Sequence, residues 1–241
     1  MNFCDISSYQ PYIDTAVKFF WDKREAQLQQ QISSNTNDQG NRGAVTGGKQ
    51  LDGFLNLLKK ICLDIGIPEE YILTKNNIIP GYFRPTKDWD FLIITPQNHI
   101  VALIELKSQV GSFGNNFNNR TEEALGSAVD FWTSFKWKSF NEQMPPWLGY
   151  LMVVEEDIKS ISPVAVSEPI FRVRDEFRNT SYLDRFHIFC SKLMAERHYN
   201  AASLLFTKKD YTYNCFRDET NIFSFLESFR MYVASKLGDF K

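Results

Sequence analysis

Polar and apolar positions alternate most sharply in the middle of the chain. Two short apolar runs, Phe91-Leu-Ile-Ile94 and Ile100-Val-Ala-Leu-Ile104, flank the turn formers Pro96-Gln-Asn-His99. Runs of this length bounded by turn signals predict an antiparallel hairpin. With the turn centred between Gln97 and Asn98, Asp90 falls opposite Glu105 and Asp88 opposite Lys107. Strand alternation then puts all four side chains on one face. A turn one residue longer or shorter would move the carboxylates out of line.

Around this hairpin the pattern changes period. Helical spacing predicts helices over 11–32, with Ala16, Phe19, Phe20 and Ala26 on an apolar face, and over 51–64, with Leu51, Phe54, Leu55, Leu58 and Ile61. Gly66 and Pro68 stop the second. A further helix is expected from near Arg120 to about Phe135, because Asn119 and Glu122 have the spacing of an N-cap and its third-position partner. Its buried face carries Leu125, Ala128, Val129 and Trp132. Later helices are expected over 181–197 and 222–237, and short strands at 71–74, 78–79, 148–154, 171–174 and 201–206. Hairpin, helix, then strand is the order of an α/β domain, a mixed sheet with helical cover. Residues 33–50, polar and then rich in glycine, read as a loop.

Composition narrows the function. The chain has 241 residues, of which 43% are hydrophobic and 15% aromatic, enough for one domain with a substantial core. The net charge of −2 gives no global basic footprint, so any nucleic-acid contact must come from a local patch. Cys4, Cys62, Cys190 and Cys215 are scattered, which indicates free thiols in a reducing cytosol and no zinc or disulfide framework. The early Asp5 argues against a signal peptide, and no apolar run approaches the roughly 18 residues of a membrane helix.

The candidate chemistry sits on the hairpin. Carboxylates directly opposed across a strand pair repel. A divalent cation such as Mg²⁺, which takes one or two carboxylates and a substrate phosphate, would offset that repulsion. The competing reading is a solvated face with an Asp88–Lys107 ion pair. Acid-x-Lys also occurs at Asp157-Ile-Lys159 and Asp239-Phe-Lys241, but neither has an upstream strand opening on Asp. Beyond Lys107, Asn115, Asn116, Asn118, Asn119 and Arg120 form a dense polar cluster. Asn suits the adenine edge and Arg the guanine edge, and a helix N-terminus suits phosphate; capping and turn chemistry account for part of it. Arg42 and Lys49 in the glycine-rich loop are candidates for phosphate contact, against a plain linker. Asp88 and Glu122 are accessory candidates for the metal, Glu122 against an ordinary carboxylate in a first helical turn.

Asp90 at a strand start, Glu105-Leu-Lys107 in the next strand, then a helix and a strand resemble the core of the PD-(D/E)xK nuclease superfamily, although Trp89 replaces the usual proline before the Asp. Gly40-Asn-Arg-Gly-Ala-Val-Thr-Gly-Gly48, Leu51-Asp-Gly-Phe54, Phe83-Arg-Pro-Thr-Lys-Asp-Trp-Asp90 and the long stretch from Glu105 to Ala124 resemble the XhoI family of type II restriction endonucleases, over about residues 19–154. The resemblance implies a single restriction-endonuclease domain over 1–241, with a core near 51–155, a C-terminal elaboration over 156–241 and helical additions at both ends. It implies Mg²⁺-dependent cleavage of double-stranded DNA at the palindrome CTCGAG in the bacterial cytoplasm, beside a cognate DNA methyltransferase. Asp90 and Glu105 would bind Mg²⁺ with the Leu106 carbonyl, and Lys107 would orient the attacking water or stabilise charge on phosphorus. A palindromic target implies a homodimer. A structure-specific or repair nuclease on the same core and a non-catalytic DNA-binding regulatory module are the alternatives.

Overall fold

A computed structural model of the chain describes residues 5–33, 49–216 and 219–240. The helices are α1 (Gln10–Ser33), α2 (Asp52–Ile65), α3 (Phe113–Lys136), α4 (Ile158–Ile161), α5 (Tyr182–Ala195) and α6 (Ile222–Ser235). The strands are β1 (Ile72–Leu73), β2 (Ile78–Pro80), β3 (Thr86–Asp88), β4 (Phe91–Ile94), β5 (Ile100–Gln109), β6 (Trp147–Glu155), β7 (Ala201–Thr207) and β8 (Tyr213–Cys215). Six strands make one mixed sheet in the order β1-β4-β5-β6-β7-β8, and β2 pairs only with β3 in a separate ribbon.

Pairing follows connection length. The tight turn after β4 allows only an antiparallel return, whereas β5 to β6 and β6 to β7 are parallel and are bridged by helical crossovers. All nine residues of β6 are buried, as the centre of a sheet covered on both faces requires. One face packs Phe91, Ile104, Leu106, Leu151 and Val153 against α1, α2 and α6. The other packs Leu103, Tyr150, Met152 and Val154 against α3 and α5. Residues after 156, expected as an elaboration, contribute β7 to the interior of this sheet and α5 and α6 to its two covers.

Several local expectations change. In α1 the buried stripe is Ile13, Ala16, Val17, Phe20 and Trp21, and Ala26 is exposed. Helix α3 begins at Phe113, a turn and more before the expected start, so Asn119 lies inside the helix and caps nothing; Ser112 precedes it in a left-handed conformation (φ 47°). Its core side carries Ala124, Ala128 and Phe131, with Val129 exposed. Residues 171–174 form no strand, and Phe171 stands out in solvent.

Gly53 marks the crossing of α1 and α2, where an added Cβ would lie 2.8 Å from the Ala16 Cα and 3.2 Å from its carbonyl oxygen. Both obstacles are backbone, so relief requires the helices to part. Gly53→Ala gains about 1 kcal/mol of helix propensity and loses about 1–3 kcal/mol to overpacking. The expected outcome is a lowered urea midpoint, whereas a variant more stable than the parent would show that the crossing is loose.

Candidate active site

The β4–β5 register pairs Phe91 with Ile104, Leu92 with Leu103 and Ile93 with Ala102. One step further, Asp90 comes opposite Glu105. Asp90 Oδ2 accepts a hydrogen bond from the Leu106 N–H at 2.7 Å, which holds the carboxyl against the edge of β5. In an extended strand a residue's N–H and C=O point to the same edge. The Leu106 carbonyl therefore shares that edge with the Asp90 carboxylate.

Glu105 is only 3% exposed. Its Oε1 pairs with Lys107 Nζ at 2.5 Å and its Oε2 with Lys87 Nζ at 2.7 Å. The Lys87 ammonium also lies 4.6 Å from the centre of the Trp89 ring. Burial alone would push the Glu105 pKa up, but the two ammonium groups outweigh it and hold the carboxyl below its ordinary range. Asp90 has the opposite balance. Burial first, and the neighbouring Glu105 charge second, lift its pKa from 3.8 to about 6, against the pull of Lys107, the Leu106 N–H and Lys87. Burial works against the Lys107 ammonium too, yet Glu105 and Asp90 outweigh it and keep the amine charged.

Glu105, Lys107 and Lys87 open on a cleft of about 580 Å³, and Asp90 is not part of its lining. Glu105, Lys107 and Lys87 form one wall, and Glu122, Glu123 and Asp130 of α3 the other. The β2–β3 ribbon is docked onto that helix. Asp130 Oδ1 accepts the N–H groups of Tyr82 and Phe83, each at 2.8 Å, and Oδ2 pairs with Arg84 Nε at 2.7 Å. Burial opposes the Asp130 charge, and these donors prevail and depress its pKa. Phe83, on the cleft rim, remains 69% exposed.

The donor set fits a hard divalent cation. Asp90, Glu105 and the Leu106 carbonyl offer only oxygen, and Asp90 Oδ1 has no protein hydrogen-bond partner among the described residues. Among those residues no group of three or more His, Cys, Asp or Glu side chains gathers. The two carboxylates Asp90 and Glu105 are within the number that Mg²⁺ uses, since it keeps several waters.

Other candidates lie elsewhere. Asp88 does not face Lys107. It pairs with Ile78 in the β2–β3 ribbon and is exposed. The cause is a break at Trp89, whose N–H bonds the Asn77 carbonyl at 3.2 Å while Asn77 Nδ2 bonds the Trp89 and Asp90 carbonyls at 3.0 and 3.2 Å. That break moves Asp88 out and brings Lys87 in. Continuous alternation along one hairpin assigns these two neighbours the other way round, so the sequence carried no signal for Lys87. Glu122 lines the cleft; Asn116, Asn118, Asn119 and Arg120 do not, and the side chain of Asn115 lies outside the described ones. They form the first turns of α3, where Asn116 Nδ2 bonds the Ser112 carbonyl and Arg120 pairs with Glu123 at 2.6 Å. Helical spacing sets Asn119 one turn beyond Glu122 and Glu123 on the same side of α3. Lys49 is exposed, away from the cleft lining and beside Asp52, and Arg42 falls outside the described residues. Among the described residues no helix is long and apolar enough to cross a membrane.

The chain matches the family model described as restriction endonuclease XhoI over residues 30–217. It is similar to the type II restriction enzyme BstVI of Geobacillus stearothermophilus, with 45% identity over 209 residues covering 83% of this chain and 93% of the relative. It is also similar to the type II restriction enzyme XhoI of Xanthomonas vasicola, 40% identical over 79% of this chain and 77% of that protein. The type II restriction enzyme AbrI of Azospirillum brasilense is 42% identical over 70% of this chain and 76% of its own length. No solved structure matches the chain.

The two carboxylates oppose each other in stability. Raising the Asp90 pKa from 3.8 to about 6 means that ionising it costs roughly 3 kcal/mol of folding free energy. This loss sets in as pH rises from the unfolded pKa through the folded one. In chelator, Asp90→Asn should therefore be more stable than the parent at about pH 8, with the advantage gone below about pH 4. Glu105, with its lowered pKa, contributes stability above its unfolded pKa that is lost as pH falls. Glu105→Gln strands two ammonium groups and should cost about 3 kcal/mol or more at neutral pH. Urea titrations at both pH values read the two signs, and a destabilised Asp90→Asn would contradict this account of the charges.

Proposed function

The chain belongs to the XhoI family of type II restriction endonucleases, and we propose that it cuts both strands of DNA at the palindrome CTCGAG, with Mg²⁺ held by Asp90 and Glu105. The observation that carries this reading is Glu105 on the wall of an open cleft, with Lys107 in contact and Asp90 opposite it on the neighbouring strand. The sheet and helices then constitute a PD-(D/E)xK core within a single domain over 1–241.

In this mechanism Asp90, Glu105 and the Leu106 carbonyl would hold the cation. Bound there, Mg²⁺ supplies Lewis-acid polarisation of the scissile phosphate and makes an attacking water more acidic. Glu105 anchors Lys107 at 2.5 Å. Lys107, whose acidic neighbours hold its amine pKa up in the free chain, would orient the attacking water or stabilise charge building on phosphorus. The Leu106 N–H fixes the Asp90 rotamer, so little reorganisation is left for the moment of reaction.

Sequence readout is assigned to the start of α3, where Asn115, Asn116, Asn118, Asn119 and Arg120 continue the helix that lines the cleft toward the flanking bases. Arg42 and Lys49 are assigned to the DNA backbone. A palindrome has two equivalent scissile phosphates, so the working unit is a homodimer with one cleft for each strand. A cognate methyltransferase protects the host DNA in the bacterial cytoplasm. A binding-only regulatory module would gain nothing from opposing Asp90 to Glu105, a placement that costs stability.

Digestion of plasmids of known sequence with Mg²⁺, followed by mapping of the ends, tests this. Cuts should fall within CTCGAG on both strands, and Asp90→Ala, Glu105→Ala and Lys107→Ala should each reduce cleavage by about a thousandfold or more. Undiminished cleavage in those variants would remove the site assignment. A preference for branched over linear DNA would favour a structure-specific nuclease.

A further inference from the structure

We propose that Lys87 is a second catalytic lysine, which neutralises Glu105 in the free protein and turns its ammonium to the DNA phosphate once a divalent cation takes that carboxylate. The inference rests on the reading of Asp90 and Glu105 as the metal site.

Among the described cations on this part of the molecule, Arg84 answers to Asp130, Arg120 to Glu123 and Lys107 to Glu105. Lys87 is a second claimant on a carboxylate already paired. When Glu105 must also serve a cation, the ammonium with an alternative destination is the one released. Lys87 lines the cleft beside Lys107, but it is carried by the β2–β3 ribbon and not by the strand that holds Glu105. The four-carbon stem swings without moving the backbone. The Trp89 ring, 4.6 Å from the ammonium, gives the cation a support besides Glu105.

The backbone that carries Lys87 is fixed. Lys87 pairs with Ile79 in the β2–β3 ribbon, and Asp130 holds the ribbon's loop through two backbone N–H groups and Arg84. The ribbon thus delivers a positive charge to the acid wall from outside the main sheet. With Asp90 and Glu105 both ionised, Lys87 and Lys107 bring these four groups to neutrality. A bound divalent cation then leaves an excess of two positive charges facing a phosphodiester that gains negative charge in the transition state. Removing Lys87 halves that excess.

Metal affinity and cleavage must therefore move in opposite directions, which a supporting strut for Glu105 would not produce. Lys87→Met, Lys87→Gln and Lys87→Arg are compared with the parent by calorimetric Mn²⁺ titration without DNA, by single-turnover cleavage at saturating Mg²⁺, and by circular dichroism for folding. Lys87→Met and Lys87→Gln should bind Mn²⁺ at least about threefold tighter, because a competing like charge is gone, yet cleave about a hundredfold more slowly. Lys87→Arg should keep most of the cleavage. Gln still donates a hydrogen bond to Glu105, so a Lys87→Gln variant as active as the parent overturns the proposal and leaves Lys87 a strut. Weaker Mn²⁺ binding in Lys87→Met and Lys87→Gln also overturns it, and so does parental cleavage in Lys87→Met. If the parent itself binds no Mn²⁺, the metal-site reading falls instead, and the two failures are distinguished by that one titration.

Discussion

Everything in the cleft follows from the uneven treatment of two carboxylates a strand apart. Glu105 is buried and held by two ammonium groups, while Asp90 is pressed against it with the pull of Lys107 and one backbone hydrogen bond in support. Desolvation bears on both, but opposite charges at contact distance overcome it for Glu105 alone. The free chain thus carries a permanent anion beside one that is reluctant to ionise. That is an unfavourable arrangement for stability and a suitable one for capturing a cation made of little but charge.

The core enforces this arrangement. Leu103, Glu105 and Lys107 project to the α3 side of β5, while Ala102, Ile104 and Leu106 enter the layer shared with α1, α2 and α6. A slip of one residue would exchange the two sets and place both charges in apolar packing. Parallel pairing of β5 with the wholly buried β6, residue for residue from Ala102 to Gln109, closes off that slip. The C-terminal third contributes through β7, which completes the parallel array, and through α5 and α6, which cover its faces.

Much of this was legible in the residues. The facing of Asp90 and Glu105 came from run lengths and turn formers, and the placement of α2, β6, β7 and α6 from periodicity. What escaped depended on contacts distant in sequence. Asn77 interrupts the strand at Trp89 through side-chain bonds to two carbonyls, an act that no local pattern at 87–90 announces. The start of α3 was misplaced because Asn119 and Glu122 have capping spacing while the packing of Phe113 carries the helix further back. The role of residues 156–241 was underestimated because short apolar segments do not reveal their sheet neighbours.

The hairpin pairing also contains an irregularity. From Phe91 to Ile93 the register is constant, but Ile94 pairs with Ile100 where an unbroken ladder would give Val101, and Asn98 in the turn is left-handed (φ 60°). The slip lies at the end of the hairpin away from Asp90 and Glu105. It uncouples the facing of Asp90 and Glu105 from the connection between the strands. Insertions and deletions at Pro96–Asn98 can be accommodated there as a change in bulge, without rotating Asp90 or Glu105, which leaves this corner of the molecule free to diverge.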